Sequence, residues 1–335
     1  MNYWQIGSGA FNRDYAAYFI RYGMAFVGGD KYVKTMDSVE LDDRIILKKG
    51  NAKVIAVGKV VKRNGRHGGK DDKEWLRDFD GWDLRAYCFV QWHVLKEPIV
   101  TKGLTRATIN KVKQGHLREL AEKTLSTVAP LQESGAEPRP TREVEDEEIL
   151  DFLIQEGLRP GAAEELTATF NRIRLLARYY YKHEQVDWSR VREHETRTFL
   201  VVPLLLALGW AEQQIKIELP LKERRRADVA CFPKPYVGKD TECVLMLETK
   251  GFNQGLDYAP DQAKKYADYL PKCQIVVVTN GYCYKAFGRL KDGSFSTKPA
   301  AYLNLVRPRD RYPLDPDHVD GCLETLRLLL PSSYM

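Results

Sequence analysis

The sequence predicts an α/β protein of two domains: a small β-rich barrel, then a mixed sheet flanked by helices. Its 335 residues, 44% apolar and 29% charged, suffice for two cores. A stretch with prolines, a glycine and then acidic residues, 133–147, divides the chain as a linker would. Short β-branched runs precede this linker, and alternating helix and strand patterns follow it. We therefore expect domains at 1–132 and 148–335.

The first domain is predicted from short apolar runs separated by turn residues, a spacing typical of a compact barrel. The predicted strands are Gly23–Gly29, Arg44–Leu47, Lys53–Val61 and Ala86–Val94. Between the last two, Arg63–Trp82 is polar, contains glycines and is long for a hairpin connection. We expect it to form an exposed loop, and long loops often carry function.

The second domain begins with helical spacing at Glu147–Leu158 and Ala162–Tyr181. A further helix is predicted from Ser189 towards Leu208, bent or ended by Pro203. Five apolar runs have strand character, and an amphipathic helix, Asp261–Leu270, separates the third from the fourth. The runs are Ile215–Leu219, Ala227–Phe232, Val244–Glu248, Gln274–Thr279 and Tyr282–Phe287. A sheet partly buried on both faces follows from this order.

Composition narrows the functional classes. Lys and Arg outnumber Asp and Glu by 52 to 46, a net charge of +6, which is compatible with a polyanionic partner. The longest apolar run, Phe199–Leu208, is interrupted by Pro203 and is too short to span a membrane. With no signal-peptide or lipidation pattern, we expect a cytoplasmic protein with no membrane partner. The six cysteines include no C-x-x-C pair, so reduced structural thiols are expected.

Two carboxylates and a lysine form the strongest chemical pattern. Glu248 and Lys250 close one predicted strand and, two residues apart, point to the same face. Asp228, on the preceding strand, can complete the group. Two carboxylates suit Mg²⁺, which keeps several waters and accepts phosphate oxygens, and a neighbouring lysine can orient or deprotonate an attacking water.

With these residues in place, the segment of about 190–290 resembles the PD-(D/E)xK nuclease superfamily, and more narrowly the N-terminal nuclease domain of type I restriction motor subunits. The matching residues are Glu195 and Arg197; Pro203–Trp210; Arg226–Val229; Leu247–Lys250; Gln262–Tyr266; and Val276–Gly281. The resemblance implies a metal site at Asp228 and Glu248 and a catalytic Lys250. It also implies assistance from Glu195, with Gln262 and Tyr266 supporting the site and the DNA strand. The first motif lacks the proline directly before its aspartate.

Structural interpretations of the same residues stay open. Glu248 and Lys250 also fit a buried ion pair in an inactive relative, although charge after the apolar run Val244–Leu247 is costly unless paired or bound to metal. Gln262 and Tyr266, one helical turn apart, also fit simple packing.

The first domain resembles the PUA-like superfamily, including the EVE barrels that inspect modified bases. The residues that carry this looser resemblance are Tyr3–Ile6, Gly23–Gly29, Asp43–Leu47 and Val54–Val60. Where that family usually has a Gly-Asp turn, this chain has Asp42-Asp43. A reader of flipped bases needs aromatic faces and a polar group for the base edge. The candidates are Trp4, Phe26, Trp82 and Trp92 for stacking, Asp30 for the edge, and Lys62, Arg63, Arg66 and Lys70 for phosphates. Tryptophans in a small barrel are more often part of its core.

Together these features predict a Mg²⁺-dependent DNA endonuclease, with Mn²⁺ as a possible substitute, that restricts modified double-stranded DNA in antiphage defence. No G-x-x-x-x-G-K-[ST] pattern is present, so we expect no nucleotide cofactor. A double-strand cut needs two active sites, so we expect a homodimer at least on DNA. The alternatives are a sequence-specific nuclease for unmodified DNA, a non-catalytic modified-nucleic-acid binder, and an RNA target.

Overall fold

The computed structural model describes residues 1–9, 13–132, 137–183 and 191–335. These residues form two compact units, Met1–Pro138 and Arg139–Met335, here called the N-terminal and C-terminal units. The division lies within the stretch 133–147 that was predicted as a linker, of which 133–136 lie outside the described residues. Each unit combines a mixed sheet with helices, so the α/β class is confirmed.

The N-terminal unit is built on a curled, mixed sheet. Its strands are β1 (Tyr3–Gly7), β2 (Met24–Val27), β3 (Arg44–Lys49), β4 (Lys53–Val60), β5 (Gly68–Lys70), β6 (Ala86–Val100) and β7 (Ile109–Lys111). Their order in the described residues is β2-β6-β4-β3-β1-β7, with β5 also paired to β6. β1 and β3 are parallel, and the other neighbours are antiparallel. Assignment of this sheet to the PUA-like class stays a prediction.

In the described part of this unit, three helices accompany the sheet: α1 (Ala16–Tyr22), α2 (Asp30–Met36) and α3 (Gly115–Thr127). Leu117 and Ala121 of α3 pack on Ile46, Val54 and Val57 of the sheet. A second group of buried rings surrounds Phe26, which stacks on Phe19 with centroids 4.0 Å apart. Burial of this apolar surface provides the main driving force for folding of the unit.

The prediction that Arg63–Trp82 forms an exposed loop is only partly correct. It contains β5 and a 3-10 turn, Glu74–Arg77, whose Trp75 and Leu76 are buried. Trp75 packs against Tyr22 with ring centroids 4.8 Å apart. The apolar residues of this stretch join the aromatic core, whereas its basic residues lie closer to solvent.

The C-terminal unit has a second mixed sheet. Its strands are β8 (Ile215–Pro220), β9 (Arg226–Cys231), β10 (Leu245–Thr249), β11 (Ile275–Thr279), β12 (Cys283–Gly288) and β13 (Ala301–Asn304). The order is β13-β12-β11-β10-β9-β8. β10 and β11 are parallel, with Leu245 beside Ile275, and the other neighbours are antiparallel. A parallel pair requires a crossover, and the helix Ala259–Ala267, here called α8, supplies it.

The helices before this sheet are α4 (Asp146–Gln155), α5 (Pro160–His183), α6 (Glu193–Thr196) and α7 (Val202–Ala207), and α9 (Cys322–Leu329) follows it. A π-helical turn, Arg197–Val201, joins α6 to α7, with the Val202 amide donating to the Arg197 carbonyl. Pro203 has no N–H for the Phe199 carbonyl, which accepts a 3.4 Å hydrogen bond from Arg172 instead. The bend predicted at Pro203 is thus a change of helical register. Ser189, where this helix was predicted to begin, lies outside the described residues.

Every residue of β10 and β11 is buried, which explains their nearly continuous apolar sequences. All six cysteines are also buried and have free thiols. Within the described ranges, no helix has the length and apolar character that crossing a membrane requires.

Candidate functional site

Asp228 lies on β9 beside the end of β10, where three donors hold its carboxylate. Arg197 Nη1 donates to Oδ1 over 2.7 Å. The backbone amide and the hydroxyl of Thr249 both donate to Oδ2, each over 2.7 Å. Leu247 pairs with Val229, so one more step of this antiparallel register brings Glu248 opposite Asp228. The structure therefore brings the two predicted metal ligands together.

Glu248 and Lys250 form a buried ion pair at the end of β10. Lys250 Nζ lies 2.7 Å from Glu248 Oε1, and the side chains are 12% and 4% exposed. The predicted convergence of these residues on one face is therefore present. Such a pair is costly to bury unless hydrogen bonds and neighbouring charges compensate the loss of water.

The environment of Glu248 favours its protonated form. Burial, and next the negative charge of Asp228, raise the pKa of Glu248 from 4.5 to about 7 against the opposing effect of Lys250. Burial lowers the pKa of Lys250, but Glu248, Glu193 and Asp228 outweigh it and the net change is upward. Lys250 therefore carries its proton at neutral pH.

Arg197 joins Asp228 to a further carboxylate that the motif analysis missed. Its Nη2 donates to Glu218 Oε1 over 2.8 Å while Nη1 holds Asp228, and its side chain is 8% exposed. Glu218 lies between two β8–β9 register pairs, Ile217 with Val229 and Leu219 with Ala227, which places it opposite Asp228. Planar guanidinium groups suit such two-carboxylate contacts.

The helix glutamate nearest the lysine is Glu193, whereas sequence reasoning selected Glu195. Glu193 Oε1 lies 3.7 Å from Lys250 Nζ. Glu195 instead accepts a 2.8 Å hydrogen bond from the backbone amide of Arg192 and so caps the start of its own helix. This contact gives Glu195 a structural role, because its carboxylate is used at the helix terminus.

Gln262 and Tyr266 lie on α8, where the Gln262 side-chain amide donates to the Tyr266 hydroxyl over 3.0 Å. Gln262 is exposed, and the contacts described for the two residues are with each other and with Arg225. The Arg225 guanidinium carbon lies 5.9 Å from the ring centroids of both Tyr266 and Tyr269. These residues form a polar and aromatic surface with one cation, a combination that can contact a nucleic-acid strand.

The donor set fits a hard divalent cation with two protein carboxylates. No group of three or more His, Cys, Asp or Glu residues in the described ranges could hold a metal ion. Mg²⁺ does not need such a cage, since one or two carboxylates, waters and phosphate oxygens commonly complete its shell. A carboxylate has about four lone-pair positions. A metal ion bound at Asp228 would therefore compete with Arg197 for lone pairs of the carboxylate that Arg197 and Thr249 already use.

The aromatic candidates of the N-terminal unit are mostly core residues. Trp4, Phe26 and Trp92 are buried. Trp4 Nε1 donates to Asp43 Oδ2 and Trp92 Nε1 to the Phe19 carbonyl, both over 2.8 Å. A buried ring stabilises the sheet and cannot stack on a base without rearrangement, so the structural interpretation of these three residues is the better one.

Trp82 is half-buried, and the Arg13 guanidinium carbon lies 3.8 Å from its ring centroid. Asp30 is exposed and accepts a 2.8 Å hydrogen bond from Arg85. Arg63 donates to the Tyr22 carbonyl over 2.9 Å, and Arg66 pairs with Asp72 at 2.5 Å. Lys62 and Lys70 are exposed. These side chains occupy the surface or its margin, where a nucleic acid could reach them.

The chain has a weak structural similarity to a fragment of a restriction-enzyme subunit. No family model matches the chain, and no curated protein matches it. Among solved structures, a fragment described as an HsdR subunit of a type I restriction enzyme from Vibrio vulnificus is similar, at 20% identity and a TM-score of 0.28. The similarity covers 35% of this chain and 23% of that chain. A TM-score this low does not establish a shared fold, so functional assignment depends on the residues of this chain.

Proposed function

We propose that the protein is a Mg²⁺-dependent DNA endonuclease whose active site lies in the C-terminal unit. The observation that carries the proposal is the convergence of Asp228 on β9 with Glu248 and Lys250 on β10. These residues meet at the ends of central strands, where isolated charges would be strongly disfavoured.

The order of elements supports the same conclusion. Helices α6 and α7 precede β8, β9 and β10, and α8 then leads to β11. The acidic residues lie on the second and third of these strands. This agrees with the resemblance of 190–290 to PD-(D/E)xK nucleases, whose pattern places the same residue types in this order.

Asp228 and Glu248 would hold the metal ion, with Thr249 orienting Asp228 through its amide and hydroxyl. Bound Mg²⁺ would supply positive charge for water activation and for the phosphodiester oxygens. Lys250 is protonated and can donate a hydrogen bond at Nζ, which suits orientation of water or stabilisation of negative oxygen. Because the pKa of Glu248 is raised to about 7, cation binding near neutral pH is coupled to loss of a proton from the fraction of Glu248 that is protonated.

For the N-terminal unit we propose recognition of DNA, with a modified base as the preferred target. Asp42 supports the PUA-like resemblance, because its φ of 67° is a left-handed conformation in which glycine is favoured. It stands where that family usually has glycine. Of the stacking candidates, half-buried Trp82 is retained, together with Asp30, Arg63, Arg66 and Lys70 on the surface.

Cleavage of matched DNAs tests both parts of the proposal. The substrates are unmodified, 5-methylcytosine, 5-hydroxymethylcytosine and glucosylated duplexes, each incubated with and without Mg²⁺ or Mn²⁺. We expect metal-dependent cutting of a modified duplex, with cleavage reduced on the order of 10²-fold or more in Asp228→Asn and Lys250→Gln proteins. Sedimentation on uncleaved DNA would test for the two chains that a double-strand cut requires.

Different outcomes separate the alternatives. Equal cutting of all duplexes would favour a nuclease for unmodified sequence, and cutting of matched RNA alone would change the substrate class. DNA binding without cleavage, unchanged by Asp228→Asn, would favour a non-catalytic binding protein and contradict the proposed active site.

A further inference from the structure

Both carboxylates of the proposed metal pair are held by side-chain cations, and each cation has a second carboxylate nearby. Arg197 connects Asp228, at 2.7 Å, with Glu218, at 2.8 Å. Lys250 contacts Glu248 at 2.7 Å and lies 3.7 Å from Glu193. The site thus contains an inner carboxylate pair, Asp228 and Glu248, and an outer pair, Glu218 and Glu193.

The two pairs differ in exposure. The inner carboxylates are 17% and 4% exposed, and the outer carboxylates are 46% and 48% exposed. A cation entering the inner pair would lie beside two buried positive side chains. Without other negative partners, repulsion from Arg197 and Lys250 would weaken its binding.

Glu218 has the backbone geometry of a residue whose position is enforced by its surroundings. Its φ is 51°, a left-handed conformation that is rare for glutamate within a strand. Arg226 also donates to its Oε2 over 3.0 Å, so two arginines fix the carboxylate. Strained residues often cluster at functional sites, so the strain at Glu218 favours a functional role for its contact with Arg197.

We propose that Glu218 and Glu193 are positioning residues that retain Arg197 and Lys250 when a divalent metal ion binds Asp228 and Glu248. This inference rests on the proposed metal site. In the metal-free protein the cations neutralise the inner pair, and on metal binding they keep the outer carboxylates as partners. The exchange keeps charges of opposite sign adjacent in both states, so the two outer glutamates set the metal affinity.

The test is Mg²⁺ binding to the full chain without DNA, followed by isothermal titration at constant ionic strength. Glu218→Gln and Glu193→Gln proteins are expected to raise the Mg²⁺ dissociation constant about three- to tenfold. Glu218→Gly removes the carboxylate but suits the left-handed backbone, so it is expected to fold and to show the same weakening. In cleavage, the Mg²⁺ concentration for half-maximal rate should rise while the rate at saturating Mg²⁺ stays near that of wild type.

Glu223 provides a matched control. It pairs with Arg225 at 2.7 Å and is 61% exposed. Its glutamine variant should change the dissociation constant less than twofold. This comparison distinguishes partner exchange from a general loss of negative charge.

The failure of each proposal has its own result. Wild-type binding that is lost in Asp228→Asn but unchanged in folded Glu218→Gln and Glu218→Gly proteins would overturn the exchange alone. Absence of Mg²⁺ binding to wild type, or binding unaffected by Asp228→Asn, would overturn the proposed metal pair and the exchange with it.

Discussion

Replacing Glu248 with glutamine should alter the pH dependence of stability in the metal-free protein. Burial and the negative charge of Asp228 raise the pKa of Glu248 from 4.5 to about 7 in the folded state. In an unfolded chain the group has its ordinary pKa. The folded protein therefore binds the proton more tightly, and this contribution to stability is lost as pH rises from about 4.5 through 7.

The two pKa values define the magnitude. One pH unit between folded and unfolded pKa corresponds to about 1.4 kcal/mol, so the largest contribution is about 3 kcal/mol. Between pH 5 and pH 8 the expected loss is roughly 2.5 kcal/mol, because the unfolded group is already mostly ionised at pH 5. The pKa of Lys250 is raised, so it stays charged across this interval and adds no pH dependence there.

Urea unfolding of metal-free protein at pH 5 and pH 8 measures this difference. Other groups also titrate, so the informative quantity is the change between wild type and Glu248→Gln, with exposed Glu223→Gln as the control. We expect the pH-dependent loss to shrink by roughly 2 to 3 kcal/mol in Glu248→Gln alone. Identical pH profiles for wild type and Glu248→Gln would refute the reasoning that this carboxylate is ionised at a cost.

Three further predictions concern the supporting structure. Asp43→Ala should destabilise the protein by about 2 to 4 kcal/mol at pH 7, because the buried indole N–H of Trp4 and the partly buried backbone amides of Asn2 and Glu40 lose their acceptor. Burial would raise the Asp43 pKa, but hydrogen bonds, first that from Trp4, lower it, so the contribution of Asp43 to stability is lost as pH falls below the ordinary value of 3.8. Urea unfolding from pH 7 to pH 3 measures both effects, and an unchanged midpoint would contradict them. Gly281→Ala should lower the free energy of unfolding by at least about 2 kcal/mol, since φ of Gly281 is 94° and the added carbon would lie 2.5 Å from Leu200 Cδ1. A melting temperature within a degree of wild type would show that the turn adapts freely. Trp82→Ala should weaken binding of modified DNA about tenfold with little loss of stability, whereas Trp92→Ala should mainly destabilise the fold by about 3 to 5 kcal/mol. Fluorescence anisotropy measures the DNA affinity and thermal unfolding measures the stability. Normal DNA affinity in Trp82→Ala would exclude the stacking role.

The sheet of the C-terminal unit was predictable because its central strands have continuous apolar sequences. The run predicted at Val244–Glu248 forms β10 at Leu245–Thr249, and that at Gln274–Thr279 forms β11 at Ile275–Thr279. Burial on both faces requires apolar residues at every position, which makes such strands visible without alternation. Strand β13 and helix α9 were not predicted, although they pack together in the completed unit.

The N-terminal unit was harder to predict partly because two of its three described helices are short. α1 and α2 have seven residues each, too few to establish a helical period, and they were not predicted. The burial of Trp75 was not predicted for a related reason. One buried turn within a polar stretch leaves a few apolar residues that resemble an ordinary loop in sequence.

The glutamate near Lys250 shows why the site could be predicted only in part. Glu248 and Lys250 were predictable because a strand of known direction places residues two apart on one face. Glu193 and Glu195 are also two apart, but about 200° separates them around a helix, so a choice between them depends on the orientation of the helix against the sheet. Arg197 and Glu218 are harder still, since their contact joins a helix to an edge strand and each residue alone resembles a surface charge. Their partnership arises only when β8 pairs with β9 and brings Glu218 opposite Asp228. Short-range spacing therefore identifies Glu248 and Lys250, whereas the tertiary fold determines how Asp228, Arg197 and the outer carboxylates are arranged around them.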